Sequence, residues 1–279
     1  SRVNAEAKAR GREKITDEEL ATRLDLRGKN IFTIDGPDAK DLDDAVSIER
    51  LANGHYRLGV HIADVSHYVE EDGWLDKEAL KRGTSVYLLN RVVPMLPKGL
   101  SNGICSLNEG EDRLTLSCFM EIDAQGEVVH HELAESVINS KARMVYDDVS
   151  ELLEHETPAL RAKYAPLLAD IRAMGELARV LRDKRKQRGS LDFDFADSEI
   201  VLDAREHPIA IRPAERRSAN RLIEEFMLIA NETVAEHFYW MEVPFLYRVH
   251  EKPETEKLEK LKIFLRSFGI MLRGNRSSI

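Results

Sequence analysis

Short apolar runs separated by turn residues dominate the first half of the chain. Between Ile31 and about Met120 these runs read IFTI, AVSI, YRLGVHIADV and TLSCFMEI, and Gly, Asn and Pro residues stand between them. Apolar runs of this length with such boundaries are typical of β-strands. Asn53-Gly54 predicts a hairpin turn between two of them, because both residues tolerate positive φ angles. The first half is therefore predicted to form a mixed or largely antiparallel sheet.

Helical periodicity replaces this pattern in the second half. From Val145 to Arg188 apolar residues recur every three or four positions among charged ones, and a second such stretch runs from about Glu215 to Tyr239. This spacing predicts amphipathic helices. The predicted fold class is α+β, in which helices from the C-terminal half cover a sheet from the N-terminal half.

Residues 1–28 are polar and highly charged, in contrast to the apolar runs that follow. Thr16 and Glu19 have the spacing of a capping box, which predicts the start of a short helix. We expect a leading arm with this short helix over residues 1–28, and a main domain over residues 29–279.

Composition narrows the possible functions. The 279 residues are 43% hydrophobic, which is enough for a globular core. Cys105 and Cys118 lack the spacing of a disulfide scaffold or a zinc site. No apolar run approaches the roughly 20 residues that span a bilayer, so we expect a cytoplasmic protein without a membrane partner. The net charge of −9 argues against nucleic-acid binding in general, although not against a local basic patch.

An unusually acidic segment, FTIDGPDAKDLDDAVSI, connects two of the predicted strands. Carboxylates crowded this closely repel one another unless a cation lies among them. Neighbouring strand residues point to opposite faces, so the chain must turn at DLDD, with Leu42 directed into the core. Carboxylates are preferred ligands of Mg²⁺ and Mn²⁺, and the segment predicts a site for one or two such ions. The hairpin at Asn53-Gly54 would bring Asp64 close as a sixth carboxylate. The five acidic residues of the segment are Asp35, Asp38, Asp41, Asp43 and Asp44.

Two other interpretations of this segment remain open. It can be a solvated acidic surface loop, although such loops seldom lie between two strongly apolar strands. It can also be a calcium-binding loop that starts at Asp38 and has Glu49 at its twelfth position. In that alignment Lys40 and Leu42 occupy ligand positions, and Asp43 replaces the turn glycine.

Several motifs resemble the catalytic domain of the ribonuclease II/ribonuclease R family, and within it the ribonuclease R branch. They are TIDGPDAKDLDDAVSI, GVHIADVSHYV, GTSVYLLNRVVPMLP, LIEEFMLIANE and YRVHEKP, and the likeness extends from about Leu24 to about Gly269. The resemblance implies a Mg²⁺-dependent exoribonuclease that degrades single-stranded RNA from its 3′ end and releases nucleoside 5′-monophosphates.

The resemblance also implies a domain organisation. Residues 29–279 would form an RNB-like catalytic domain that is incomplete at its C-terminus and lacks the flanking cold-shock and S1 domains. Those missing RNA-binding domains would be partners of this chain. We therefore expect weak, non-processive action on RNA from these residues alone.

In the resembled family the metal ligands fall on Asp35, Asp41, Asp43 and Asp44, and Mn²⁺ can replace Mg²⁺. Asp43 and Asp44 are also the expected catalytic residues, with Asp44 positioning the attacking water or a second ion. Asp38 matches no principal ligand of the family.

A glutamate of LIEEFMLIANE is implied to contact the terminal nucleotide and completes the expected catalytic set. Helical geometry favours Glu224 over Glu225, because Asn220, Glu224 and Asn231 share one polar face.

The remaining expected RNA contacts combine aromatic and cationic side chains. By resemblance, Tyr87 stacks on the last base, and Tyr146 is another active-site aromatic. Without the resemblance, Tyr87 and His250 would fit buried core positions, Phe193 a half-buried strand position, and the basic run RVLRDKRKQRGS a solvated helix face. The complete set of expected RNA-binding residues is Tyr87, Tyr146, Phe193, Arg185, Arg188, Arg248 and His250.

Two other function classes compete with a nuclease. One is a non-catalytic RNA-binding or regulatory module that retains the fold, and the presence of all four motif carboxylates argues against it. The other is a metal-dependent phosphatase for small phosphates, which has no use for a basic run and stacking aromatics.

Overall fold

A computed structural model describes residues 2–89, 91–191, 198–213, 216–249 and 251–272. The chain divides into two units, Ser1–Val234 and Ala235–Ile279. The strands are β1 (Leu24–Asp25), β2 (Thr33–Asp35), β3 (Asp44–Arg50), β4 (Tyr56–Ala63), β5 (Val86–Tyr87), β6 (Val92–Val93), β7 (Asp112–Ile122), β8 (Val128–Asn139), β9 (Arg143–Val145), β10 (Ser198–Leu202) and β11 (Pro208–Pro213). The helices are α1 (Arg2–Arg10), α2 (Asp17–Thr22), α3 (Val65–Tyr68), α4 (Trp74–Arg82), α5 (Tyr146–Glu154), α6 (Pro158–Lys163), α7 (Leu168–Gln187), α8 (Ser218–Trp240) and α9 (Thr255–Arg266).

A five-stranded sheet in the order β1-β8-β7-β4-β3 forms the centre of the first unit. Its neighbouring strands are antiparallel except for β1, which pairs in parallel with β8. This arrangement confirms the predicted mixed, largely antiparallel sheet. The strands continue beyond the predicted limit near Met120, because β8 and β9 extend the β-structure to Val145.

The β3–β4 hairpin confirms the turn predicted at Asn53-Gly54. Gly54 has a φ of +86°, which favours glycine, in the loop that closes the hairpin. Asp44 lies opposite Ile62, two residues before Asp64.

Two apolar clusters cover opposite faces of the sheet. One cluster contains Val46, Leu58 and Met120, one from each of three neighbouring strands. Because side chains alternate between the two faces along a strand, these three share one face, and the helices that contribute Leu177 and Phe226 cover it. The second cluster includes residues of the other face and of the N-terminal helices, namely Ala45, Ala63, Val137, Ala7 and Leu75. The prediction that C-terminal helices cover the sheet is therefore confirmed for α5, α7 and α8.

The N-terminal residues differ from the expected extended arm. Arg2–Arg10 is a helix, and its Ala7 is buried in the second cluster. The short helix α2 begins as predicted, with a capping box between Thr16 and Glu19.

The second unit contains the end of α8 and helix α9. Phe238 stacks on Phe245 with ring centroids 4.6 Å apart, and Tyr247 contacts Phe245 edge-on. In the residues that the structure describes, no helix is long and apolar enough to cross a bilayer.

Candidate functional site

The acidic loop, which we define as residues 36–43, connects β2 to β3. Asp35 ends β2 and Asp44 begins β3, and a bridge between Phe32 and Val46 holds the two strands side by side. Leu42 is only 2% exposed and lies in the second apolar cluster, as predicted. The loop therefore turns where the sequence predicted, with a buried anchor between Asp41 and Asp43.

Hydrogen bonds from three parts of the chain hold the acidic loop. Arg143 of β9 donates from Nη2 to the carbonyl oxygens of Pro37 and Ala39, at 3.0 and 2.5 Å. The backbone N–H of Leu42 donates to Ser106 Oγ at 3.1 Å. The N–H of Ala63 in β4 donates to the Asp43 carbonyl oxygen at 2.9 Å.

Burial and neighbouring negative charges raise the pKa values of three carboxylates at the site. Burial, followed by the charges of Asp44 and Asp43, raises the pKa of Asp35 to about 7. Burial and then Asp43 raise the pKa of Asp44 to about 6. The pKa of Asp43 is raised as well, by burial and then by Asp41. The ionised forms of these carboxylates are therefore disfavoured unless a cation lies nearby, which argues against a merely solvated acidic loop.

Two buried side-chain oxygens of β2 lack hydrogen-bond partners within the described ranges. Among the described residues, Asp35 Oδ2 and Thr33 Oγ1 are buried and have no hydrogen-bond partner. Both side chains lie on the same face of β2, two residues apart. A buried carboxylate oxygen without a donor is unusual and is available to a cation.

We tested these donors against the implied metal. In the part of the chain that the structure describes, no group of three or more Asp, Glu, His or Cys side chains is arranged to hold a metal ion as it stands. The donor chemistry nevertheless fits Mg²⁺ or Mn²⁺, because the loop and its flanking aspartates supply carboxylate oxygens that repel one another. One of these oxygens, Asp35 Oδ2, is buried without a hydrogen-bond donor in the described part of the chain. The residues that would hold the ion are Asp35, Asp41, Asp43 and Asp44, and Asp38 is exposed on the same loop.

Asp64 does not join the carboxylates as an additional ligand. Its Oδ2 accepts a hydrogen bond from Arg23 at 2.7 Å, and its Oδ1 caps α3 through the N–H of His67. Despite desolvation, which raises it, the pKa of Asp64 is lowered by hydrogen bonds from Arg23 and Ser66. The hairpin brings the residue near, but its side chain belongs to a structural ion pair.

Tyr146 lies beside the acidic cluster. The parallel pairing of β2 with β9 places Asp35 opposite Val145, and Tyr146 follows as the first residue of α5. Burial, then the charges of Asp35 and Asp44, raise the pKa of Tyr146 to about 12. Its hydroxyl therefore stays protonated and can donate a hydrogen bond towards the site.

The two glutamates of α8 have different environments. Glu224 is partly exposed and forms an ion pair with Arg216. Glu225 is 4% exposed and accepts hydrogen bonds from Arg185, with Nη2 to Oε1 at 2.6 Å and Nε to both carboxylate oxygens at 3.1 Å. The sequence pattern placed Glu225 apart from the polar face of the helix but did not predict this buried ion pair. The one indication in the sequence was the basic run that contains Arg185.

The predicted phosphate-tracking cations also contact acidic residues of the protein. Arg185 contacts Glu225, and Arg188 donates two hydrogen bonds to Glu232, at 2.8 and 3.1 Å. Lys184 of the same run pairs with Glu127 at 2.7 Å. The basic run is thus partly neutralised by the protein, and its contact with RNA stays a prediction.

The expected stacking residue Tyr87 is 69% exposed in the short β5–β6 hairpin, so it is not a core residue. Arg248 lies in an exposed, irregular segment of the second unit. Phe193 and His250 lie outside the described residues, and their predicted roles stay predictions.

The sequence is similar to that of known ribonucleases over most of its length. A family model described as RNB domain matches residues 23–278. Ribonuclease R from Thermotoga maritima is 53% identical over 258 residues, which cover 92% of this chain and 36% of that protein. The chain thus spans about a third of the length of this curated relative.

Two solved structures share the fold. RNase R of Mycoplasma genitalium in complex with ribose methylated single-stranded RNA has a TM-score of 0.89 and 31% identity, covering 99% of this chain and 43% of that one. Yeast Ssd1, a pseudonuclease, has a TM-score of 0.75 and 22% identity, covering 94% of this chain and 32% of that one. The second likeness shows the fold alone, so the fold does not separate a nuclease from a non-catalytic relative.

Proposed function

The chain belongs to the RNB domain family, and we propose that it forms the catalytic part of a 3′-to-5′ exoribonuclease. Its substrate would be single-stranded RNA, its products nucleoside 5′-monophosphates, and its cofactor one or two Mg²⁺ ions, with Mn²⁺ as a substitute. The relatives that support this proposal are about three times as long as the chain. A cytoplasmic location stays a prediction of the sequence.

One observation carries the proposal: the carboxylates at the ends of β2 and β3 repel one another and leave a buried oxygen without a donor. Burial, and after it the charges of neighbouring carboxylates, raise the pKa values of Asp35 and Asp44. A protein that used this loop only for structure would gain stability by replacing one of these residues. Their presence supports a bound cation.

The chain's own residues would divide the work as follows. Asp35, Asp41, Asp43 and Asp44 would hold the ions, with Asp44 also orienting the attacking water. When bound, such ions can lower the pKa of a coordinated water and stabilise the leaving oxygen. The protonated hydroxyl of Tyr146 can donate a hydrogen bond to a phosphate oxygen beside Asp35.

Contacts away from the scissile bond would bind the RNA. The exposed ring of Tyr87 can stack on a base of any identity, which suits an enzyme that degrades RNA of varied sequence. Glu224, which is partly exposed, can accept a hydrogen bond from a ribose hydroxyl. Arg248 and the basic run are the proposed phosphate contacts.

A non-catalytic RNA-binding module is the second candidate, and the fold it shares with a pseudonuclease keeps it open. The test is the release of mononucleotides from uniformly labelled single-stranded RNA, with Mg²⁺ and with a chelator. We expect Mg²⁺-dependent release from RNA and little from DNA of the same sequence, because the site should contact 2′-hydroxyls. Binding without release in Mg²⁺ would favour the non-catalytic module.

A further inference from the structure

We propose that Ser106 and Arg143 are positioning residues that clamp the backbone of the acidic loop and thereby fix its carboxylates before a cation binds. This inference rests on the proposed function, since the clamp serves the metal site of that function. Neither residue stands in the sequence motifs that predicted the site.

Ser106 holds the turn around Asp41. Its side chain accepts a hydrogen bond from the N–H of Leu42 at 3.1 Å and lies 3.2 Å from the carbonyl oxygen of Lys40. Its hydroxyl hydrogen can also turn to Asn108 Oδ1 at 3.1 Å. Because Lys40 and Leu42 flank Asp41, one buried side chain fixes the backbone on both sides of this carboxylate.

The segment that carries Ser106 is itself fixed. The N–H of Leu107 donates to the carbonyl oxygen of Leu42 at 2.9 Å, next to the Ser106 contact. On the far side, Arg113 Nε donates to the carbonyl oxygen of Ser106 at 2.8 Å. Hydrogen bonds on both sides therefore hold the backbone that carries the Ser106 hydroxyl.

Arg143 holds the other half of the loop. Its two acceptors, the carbonyl oxygens of Pro37 and Ala39, lie in the stretch that joins Asp35 to Asp41. The parallel register pairs Arg143 with Thr33, so Arg143 and Asp35 lie on the same face of the β2–β9 pair. The backbone N–H of Arg143 is in turn held by Glu109 at 3.0 Å.

The need for a clamp follows from the charges. The acidic loop and its flanks carry five aspartates, and their repulsion favours any motion that separates them. Carboxylates that are already held near their final places lose less conformational freedom when a cation binds. The clamp acts on backbone atoms, so it opposes the repulsion without occupying a carboxylate oxygen.

Two measurements on the same variants test the proposal. Hydrogen exchange of the amides in residues 36–44 reports on the loop, and electron paramagnetic resonance of free Mn²⁺ reports on metal affinity without any turnover. The variants are Ser106→Ala, Arg143→Met and Arg143→Lys, and the last keeps the charge. The matched controls are Ser101→Ala and Arg50→Lys. The hydroxyl of Ser101 donates a hydrogen bond to the neighbouring Asn102, and Arg50 forms an ion pair with Glu176 at the surface.

We expect Ser106→Ala and Arg143→Met to speed exchange in the loop at least tenfold and to weaken Mn²⁺ binding at least fivefold. Arg143→Lys should lie between Arg143→Met and the unaltered chain, and both controls should stay within twofold of the unaltered chain. RNA binding measured in chelator should not change, because the clamp does not touch the proposed RNA contacts.

Unchanged loop exchange in the folded Ser106→Ala and Arg143→Lys variants would overturn the clamp. Faster exchange with unchanged Mn²⁺ affinity would overturn its positioning role. If the unaltered chain itself bound no Mn²⁺, the metal site of the proposed function would fail, and this inference would fail with it. Failure of the inference alone would leave Mn²⁺ binding and mononucleotide release intact in every variant.

Discussion

Two groups of polar side chains adjoin the β3–β4 hairpin, one that extends from its centre onto β7 and β8, and one at its open end. In the centre, His61 is fully buried and lies between two hydroxyls, with Ser47 Oγ 2.9 Å from Nε2 and Ser117 Oγ 2.6 Å from Nδ1. Ser136 continues the chain, at 2.6 Å from both Ser117 and Thr115. We call these five residues the hydroxyl network. At the open end stand the acidic loop and its flanking aspartates.

The two groups differ in whether their polar atoms are satisfied. Every member of the hydroxyl network has a hydrogen-bond partner, and burial lowers the pKa of His61 to about 3, so the imidazole is neutral. At the open end, burial and like charges raise the pKa values of Asp35 and Asp44, and Asp35 Oδ2 has no partner among the described residues. Satisfied buried polar groups stabilise a fold, whereas unsatisfied repelling groups indicate a missing ligand.

The largest expected effect is on catalysis at the open end. Asp44→Asn should lower mononucleotide release roughly 100-fold or more, because a neutral amide holds neither a cation nor a water as a carboxylate does. Affinity for RNA in chelator should stay within about twofold, since binding relies on other contacts. The measurement is single-turnover release alongside filter binding.

Asp38→Asn is the matched control for this variant. It removes the same charge from an exposed position of the adjoining acidic loop and should retain most of the activity. If both variants lost activity equally, overall loop charge rather than the position of Asp44 would matter.

The second prediction concerns stability against pH in the absence of metal. The folded pKa of Asp35, about 7, lies above its ordinary value of 3.8, so the folded state binds more protons than the unfolded state between these values. The free energy of unfolding therefore falls as pH rises through this window. Asp35→Asn removes this loss and should stabilise the metal-free chain by about 1–2 kcal/mol at pH 8.

Chemical denaturation from pH 4 to pH 8 measures this difference. The advantage of Asp35→Asn should grow with pH through the window and be smallest near pH 4. An advantage that did not depend on pH would show that the pKa of Asp35 is not raised in the folded state.

The third prediction moves to the hydroxyl network. A Cβ atom on Gly59 would lie 2.4 Å from Ser47 Oγ and 2.9 Å from His61 Nε2. Gly59→Ala should therefore cost about 1–3 kcal/mol of unfolding free energy and leave Mn²⁺ affinity unchanged. Thermal unfolding with and without Mn²⁺ measures both effects.

Gly28→Ala is a matched control, because its added Cβ would meet nothing within 4 Å. A loss of Mn²⁺ affinity in Gly59→Ala, beyond that in the control, would show that the two polar groups are coupled rather than separate.

The last prediction concerns Tyr87. Tyr87→Ala should leave stability unchanged, because the ring is largely exposed, and should weaken the hold on the 3′ end by about 1–3 kcal/mol. The final oligonucleotide product should become longer, since fewer stacked bases retain a short one. Tyr239→Ala, another exposed tyrosine, is the control, and an identical product ladder for all three proteins would exclude stacking by Tyr87.

Local sequence patterns predicted much of this molecule. The Asn53-Gly54 turn, the capping box at Thr16 and the burial of Leu42 each depend on neighbouring residues, and the structure confirms all three. The helix Arg2–Arg10 escaped prediction because its stability comes from packing rather than from a strong amphipathic pattern.

Contacts between distant residues could not be predicted in this way. Arg143 and Ser106 bond a loop that lies more than sixty positions away along the chain, and the Arg185–Glu225 pair spans forty positions. The same holds for Asp64, whose proximity followed from the hairpin but whose partner Arg23 did not. Spacing identifies candidate ligands, and only the fold shows which polar groups are already satisfied.

The central claim is that the carboxylates of the acidic loop and of the flanking Asp35 and Asp44 are arranged to hold a divalent cation. Its most direct test is the melting temperature at pH 8 as Mg²⁺ is added, for the unaltered chain, Asp44→Asn and Asp38→Asn. A ligand at about 100 times its Kd stabilises a folded protein by about 2.7 kcal/mol. We predict a Mg²⁺-dependent rise for the unaltered chain and Asp38→Asn, and little or none for Asp44→Asn. Two results would contradict the claim: a melting temperature of the unaltered chain that does not change with Mg²⁺, or an equal rise in Asp44→Asn.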